Sequence, residues 1–426
     1  MIRQASIPGY FAIRVLSALV LLKLSTQFLS VQGFANFAQF LAFSSLLNMA
    51  VVAGAQNGLI RQAAAANHSD LADVHGAGLA VWAGAIPLIG IPVAVLSPQI
   101  SHVLTGSSGY WQVVIGLAFL GLAAGPGQIC CSILSGRNRI VQSLGAQSFG
   151  ILLGTSAAAW FIVHKSFVAA ALAFAAGPVA AMLAVLPFAA RLPIGWMPTL
   201  RGVRPLLGYS TAMASTLGFS ALVLFALRWF YREHFGATEL GYWLAANRIS
   251  DMSTQFLGLF MLQAFVPNVA VADPGERSRL ILRYGMLGAA LTGAALIVFV
   301  AGSRPLVHLF LSDAYLPAVP AIRLYMLGDF LRVWGSLAMF TAFAAGKPGR
   351  YAAIEIATMC IMAALTLVLT VSGEVRGPQI AYAAAWGLTA LVCGSVAAMR
   401  RLHHRAPSQE RAGRRIFLRG SAPRAL

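Results

Sequence analysis

Arg191-Leu192-Pro193-Ile194-Gly195-Trp196-Met197-Pro198-Thr199-Leu200-Arg201-Gly202-Val203-Arg204 is the longest polar interruption inside this chain. Pro193 and Pro198 lie within it and Pro205 follows directly, so no helix interior runs through it. Six apolar runs precede it, near residues 6–30, 35–61, 76–97, 109–134, 141–163 and 166–190. Six more follow, near 204–231, 237–268, 281–301, 316–345, 351–372 and 377–400. A helix needs about 20 residues to cross a hydrocarbon core of roughly 30 Å, and these runs supply them. The spacing predicts an all-α polytopic membrane protein of about 12 transmembrane helices in two six-helix lobes around a central cavity. The lobes are residues 1–197 and 198–402, followed by a basic tail, 403–426.

Composition agrees. Apolar residues make up 59% of the chain, charged residues 10%, and the mean hydropathy is +0.77. A soluble domain carries about 25% charged residues. The net charge of +18 raises the question of nucleic acid, but its distribution argues for topology instead. Arg400, Arg401, Arg405, Arg411, Arg414, Arg415, Arg419 and Arg424 follow the last run. If the N-terminus is cytoplasmic, twenty basic residues fall in inside segments, among them Arg3, Arg137, Arg277 and Lys347. Only Lys165, Arg232, Arg304 and Arg376 fall outside. That asymmetry predicts both termini on the cytoplasmic side and a tail that lies near anionic lipid. The first run is too long for a signal h-region and holds Arg14 and Lys23, so it reads as a retained helix.

Several chemistries find no support. Cys130, Cys131, Cys360 and Cys393 lie in apolar runs without metal-ligand spacing and read as small core residues. The histidines do not cluster, no Gly-x-x-x-x-Gly-Lys-Ser/Thr loop occurs, and no paired catalytic carboxylates are evident. The expectation is a non-enzyme without metal or cofactor, and without a nucleic-acid partner.

Charge inside the apolar runs is the functional signal. An ionised side chain near the bilayer centre costs from ~2.5 to more than ~10 kcal/mol, and such groups usually face a cavity or a partner. Arg14 and Lys23 share the first run, ~13 Å apart by helical rise. Arg248 and Asp251 are three apart, as are Asp329 and Arg332, so each pair shares a helix face. They read either as self-neutralising local ion pairs or as the wall of a hydrated cavity. Apolar packing is usually at least as stable as a buried pair, which favours the cavity. Arg323 extends the second pair, whereas Arg228, one turn before Arg232, reads as snorkelling to the interface. Asn57 and Gly58, ahead of Arg61, mark either a helix-packing notch or further polar lining near the inner end of the second run. Pro87, Pro92, Gly125-Pro126-Gly127 and Gly177-Pro178 predict bends.

Four stretches resemble the Wzx-type flippases of bacterial polysaccharide assembly, within the multidrug/oligosaccharidyl-lipid/polysaccharide exporter superfamily. They are Arg14…Lys23 leading to Gly54-Ala55-Gln56-Asn57-Gly58 and Arg61; Glu239-Leu240-Gly241-Tyr242-Trp243 into Ile249-Ser250-Asp251 and Gln255-Phe256; Leu327-Gly328-Asp329-Phe330-Leu331-Arg332; and Ala345-Gly346-Lys347. Among the members of that family, the chain is similar to the enterobacterial common antigen and O-antigen flippases. The resemblance implies translocation of an undecaprenyl-pyrophosphate-linked oligosaccharide between the leaflets of the bacterial inner membrane by alternating access. It implies a cationic lining from Arg14, Lys23 and Arg61, with Asp251, Asp329 and Arg332 matching family elements. It also implies polysaccharide polymerase and chain-length regulator partners, and H+ or Na+ as a possible coupling ion. The chain departs from the family at Arg248, where the family carries serine, and at Leu41, where it carries arginine.

Two other readings compete. A cation-coupled multidrug exporter of the same superfamily predicts a cavity rich in acids and aromatics. Here the bases within runs (Arg14, Lys23, Arg228, Arg248, Arg323, Arg332) outnumber the acids (Asp251, Asp329, Glu355). A non-transporting scaffold for glycan enzymes would tolerate neutralisation of those charges.

Overall fold

The computed structural model describes residues 2–52, 55–67, 70–191, 197, 199–200, 202–261, 265–345 and 347–396. Within these, the side chains of residues 2–8, 52, 57, 205, 207–217, 256, 259, 267, 270, 271, 274, 275 and 348 are outside the description. The basic tail and most of the proline-rich linker also lie outside the described residues.

The described chain is helical, without strands. The first six apolar runs give α1 (Ile2–Phe28), α2 (Val31–Val52) with α3 (Ala55–Ala65), and α4 (Leu71–Ala85) with α5 (Ile91–Val95). A short α6 (Ser97–Thr105) precedes α7 (Trp111–Ala123) and α8 (Gly125–Gly136), then α9 (Ile140–Val163), α10 (Phe167–Ala175) and α11 (Gly177–Ala189). The last six give α12 (Val203–Phe260), α13 (Val266–Val271), α14 (Pro274–Ala301), α15 (Ser303–Phe310), α16 (Val319–Ala344), α17 (Pro348–Val371) and α18 (Gly377–Val396). Nine helical segments among the described residues are long and apolar enough to cross a membrane. Their outer faces carry large apolar side chains such as Leu88 (77% exposed), Ile297 (69%) and Leu391 (69%). Lipid, not water, is the solvent such faces fit, and the protein is a multi-pass membrane protein.

Glycine and proline set the breaks. α7 gives way to α8 at Gly125-Pro126, and α10 to α11 at Gly177-Pro178. A π-helical turn, Ile86–Gly90, holds Pro87 between α4 and α5, and α5 carries Pro92. α12 is two arms. Gly236, at φ +85°, takes a conformation that L side chains rarely adopt, and the chain folds back there. The rings of Tyr231 and Trp243 would be ~18 Å apart along a straight helix. They meet at 5.0 Å.

Four details differ from the sequence reading. α2 starts at Val31, leaving only Leu29 and Ser30 to turn the chain, and α14 starts at Pro274 rather than near 281. The short helices α6, α13 and α15 had no long apolar run to announce them. Cys360 is exposed on α17, where the reading of all four cysteines as core residues expected burial. A helix facing lipid places small thiols outward without the penalty that water would impose.

Close crossings hold the first group together. α9 packs against α1, α10 and α11. A Cβ on Gly150 would sit 2.4 Å from the Gly177 carbonyl oxygen and 2.7 Å from Ala181 Cβ. Gly150→Val is therefore expected to force α9 from α11, costing ~1–3 kcal/mol or more. The check is a lowered Tm in detergent. An unchanged Tm would mean the crossing is looser than described. In the second group α12 packs on α16 and α17, around Leu240, Trp243, Tyr315, Ile322 and Trp386.

Candidate functional site

Two chambers adjoin at Ser45 and Met49 of α2, which line both. The first, of about 370 Å³, lies between α12 and α2, with α16, α17 and α18 completing its wall. Arg228, Asn247, Arg248, Asp251 and Arg332 supply its polar wall, and Trp243, Tyr325, Met359 and Met362 its apolar wall. The second, of about 490 Å³, lies within the first helix group. Among the described residues, Arg14 is its single charged lining residue, set among neutral amides and hydroxyls.

The charges of the first chamber are held in a chain of contacts. Asn247 Nδ2 donates to Asp251 Oδ2 at 3.0 Å, and Arg248 Nη1 lies 4.0 Å from the same oxygen. Arg248 and Asp251 side chains are 36% and 41% exposed, so this pair faces the open chamber. Asp329 is 1% exposed. Its Oδ1 accepts from Ser250 Oγ and from Tyr382 Oη, each at 2.8 Å. Arg332 Nη1 donates to that same Tyr382 Oη at 3.2 Å, and its guanidinium stacks 4.7 Å from the Trp386 ring. Asp329 and Arg332 thus communicate through a phenol rather than as a direct ion pair. Asp329 Oδ2 has no hydrogen-bond partner among the described residues. Trp243 Nε1 donates to Tyr325 Oη at 2.6 Å, fixing the aromatic wall.

Arg248, Asp251 and Arg332 therefore line one space, with Asp329 directly behind it. Arg14 lines the adjoining chamber. Arg61 is exposed on α3, one residue beyond Ile60 of that chamber's wall. Asn57 falls on α3 with its side chain outside the described residues. Arg323 turns away, donating to Ser303 Oγ at 2.7 Å and to the Val300 carbonyl at 3.2 Å. Arg228, read as snorkelling, is instead 8% exposed and lines the first chamber, with no hydrogen-bond partner for its Nε among the described residues. Its position near a run's end hid this. The fold-back at Gly236 was the available signal, because it brings that end against Trp243 and Tyr325.

Lys23 lies off both chamber walls. Its Nζ donates to the His308 and Leu311 carbonyls at 2.6 Å each, at the C-terminus of α15, where the helix dipole is negative. This is the end of the bundle where α1 turns into α2, and other contacts between the helix groups gather there. Ser312 Oγ donates to the Thr26 carbonyl at 2.7 Å, and Arg232 Nη1 to the Leu104 carbonyl at 2.9 Å and Asn36 Oδ1 at 3.3 Å. Tyr315 sits edge-on to both Phe34 and Tyr242. These contacts close the seam between the two helix groups at that end. A hydrogen bond from a charged donor contributes ~1.5–3 kcal/mol. Lys23→Ala is expected to loosen the closure, raising the maleimide reactivity of a cysteine placed at Thr26, now 2% exposed, by about tenfold. An unchanged rate would show that Lys23 does not hold the two groups together.

No protein-family model matches the chain, and no curated protein matches it. Solved structures do. An inward-facing multidrug resistance MATE family transporter of the MOP superfamily is 14% identical, with a TM-score of 0.67 over 90% of this chain and 94% of that one. The lipid II flippase MurJ, in an inward closed conformation, is 10% identical, with a TM-score of 0.68 over 99% of this chain and 94% of that one. A MOP superfamily transporter from Pyrococcus furiosus, described as having a binding pocket of reverse polarity, is 13% identical, with a TM-score of 0.59 over 93% and 94%. At these identities the likeness is one of architecture, and the chain has the fold of the MOP-superfamily proteins.

Proposed function

We propose that this protein translocates a lipid-linked oligosaccharide, an undecaprenyl-pyrophosphate-linked repeat unit, from the cytoplasmic to the periplasmic leaflet of a bacterial inner membrane. One observation carries the reading. Arg228, Arg248 and Arg332 share a chamber within a membrane bundle in which Asp251 is the single lining carboxylate among the described residues. Three guanidiniums against one carboxylate favour an anion. A pyrophosphate carries about two negative charges, and a guanidinium matches its oxygens with a planar fork of donors. The prenyl chain stays in lipid between the helix groups. Closure at the Lys23 end leaves loading to the opposite end, which the arginine asymmetry assigns to the cytoplasm. Asp251 and Asp329 are the carboxylates that a coupling H+ or Na+ would use. The likeness to MurJ, a lipid II flippase, agrees with this substrate class.

Efflux of cationic drugs is the second reading. The aromatic and methionine wall of Trp243, Tyr325, Met359 and Met362 favours it, as does the MATE likeness. Complementation separates the two. A strain lacking its O-antigen or common-antigen flippase receives the gene, and surface glycan is read by gel with membrane expression checked. Restored glycan supports the flippase. Drug resistance without restored glycan in strains covering several repeat units supports the exporter.

A further inference from the structure

The two chambers differ in chemistry as well as position. The wall shared by α2, α3 and α8 carries a relay of amides. Gln56 Nε2 donates to Gln128 Oε1 at 3.0 Å, Gln128 Nε2 to Asn48 Oδ1 at 3.3 Å, and Asn48 Nδ2 to the Ser44 carbonyl at 3.0 Å. Across the chamber, Tyr10 Oη donates to Gln147 Oε1 at 3.3 Å, and Gln147 Nε2 to Ser143 Oγ at 3.2 Å. Each amide has two N–H donors and two lone pairs on its oxygen, so these bonds leave donors and acceptors unspent. Polar side chains of this kind on lipid-spanning helices are there for a reason, because alanine or leucine would fill the same space without desolvating an amide. Four helices, α2, α3, α8 and α9, aim amides at the same chamber, and α1 adds Tyr10. Among the described residues the single charge in that lining is Arg14.

Such a wall suits a neutral polyol. Sugar hydroxyls donate and accept in equal measure, as amides do, whereas a pyrophosphate only accepts and is met by the guanidiniums next door. The 490 Å³ space lies within the roughly 300–1,000 Å³ that encloses a ligand of drug size. We propose that the site is divided. The chamber of α1, α2, α3, α8 and α9 holds the first sugars of the glycan through Asn48, Gln128 and Gln147, while the arginine chamber holds the pyrophosphate, the two meeting at Ser45 and Met49. This rests on the lipid-linked glycan reading above, and it assigns sugar selectivity to the first helix group alone.

Binding to the full-length protein in nanodiscs tests it with two probes, bare undecaprenyl pyrophosphate and undecaprenyl-pyrophosphoryl-N-acetylglucosamine. The wild type is expected to prefer the sugar-bearing lipid. Gln128→Leu with Gln147→Leu is expected to weaken binding of that lipid about tenfold, the loss of two neutral hydrogen bonds, and to leave the bare lipid unchanged. Arg248→Ala is expected to weaken both probes alike. If the double variant does not reach the membrane, Gln147→Ala gives the same comparison with a smaller ratio. Equal affinity of the wild type for both probes, or an equal loss on both in the leucine variant, overturns the division while leaving the flippase reading intact. Failure of the wild type to bind either probe overturns the flippase reading, and the division with it.

Discussion

Replacing Arg332 by alanine is expected to lower translocation about tenfold or more with membrane expression unchanged, since a charge-assisted hydrogen bond contributes ~1.5–3 kcal/mol and 1.4 kcal/mol is a factor of ten. Arg332 is half-buried in the chamber wall, held by stacking on Trp386 and by Tyr382 Oη. That leaves the rest of its fork of donors toward the chamber. Lysine restores the charge but neither the fork nor the stacking, so Arg332→Lys should recover only part of the rate. The measurement is surface glycan against protein level in a complemented strain. Full activity in Arg332→Ala would remove this arginine from the substrate path, and full rescue by lysine would reduce its role to a point charge.

The second large effect is on stability. Asp329 is enclosed by Ser250 and Tyr382, and Arg332 lies one step beyond. Asp329→Ala strips the acceptor from two buried hydroxyls, one of them Arg332's phenol partner. Removing one partner from a buried charged network costs ~3–5 kcal/mol. A marked fall in Tm and in membrane level is expected. Asp329→Asn keeps an oxygen for Ser250 and Tyr382 and adds donors at the position of the unpartnered Oδ2. It is expected to retain the fold. The pair separates architecture from charge: equal losses in both variants would show that the negative charge itself holds the structure, and no loss in either would show that the network contributes little. Transport by Asp329→Asn that no longer responds to a proton or sodium gradient would identify this carboxylate as the coupling group.

Much of the fold was written in the sequence, because a membrane simplifies the code. An apolar run of about 20 residues and a Gly-Pro pair each have one dominant physical meaning in lipid, and the helices and breaks at Gly125-Pro126 and Gly177-Pro178 follow from them. The short helices α6, α13 and α15 were illegible because they need no spanning run. The charged wall was half legible. Arg248 with Asp251 and Asp329 with Arg332 stand out as charge in apolar runs at helical spacing. What could not be read is what meets them across the fold. Tyr382 is an ordinary aromatic in its own run, and the partners of Lys23 are backbone carbonyls 285 and 288 residues away, which leave no trace in side-chain identity. The amide relay is hidden for a related reason. Asn48 and Gln56 share one run, and Gln128 and Gln147 lie in two others; only the packing of α2, α3, α8 and α9 brings them to one chamber.

Proteoliposomes provide the most direct test of an anion-binding, glycan-moving cavity. Purified protein is reconstituted with a fluorescent undecaprenyl-pyrophosphate oligosaccharide in one arm and with a fluorescent lipophilic cation in the other, and transfer across the bilayer is followed by quenching. The account predicts movement of the pyrophosphate lipid, its loss in Arg248→Ala with Arg332→Ala, and no movement of the cation. Transport of the cation with no movement of the pyrophosphate lipid would contradict it and leave drug export as the function of this cavity.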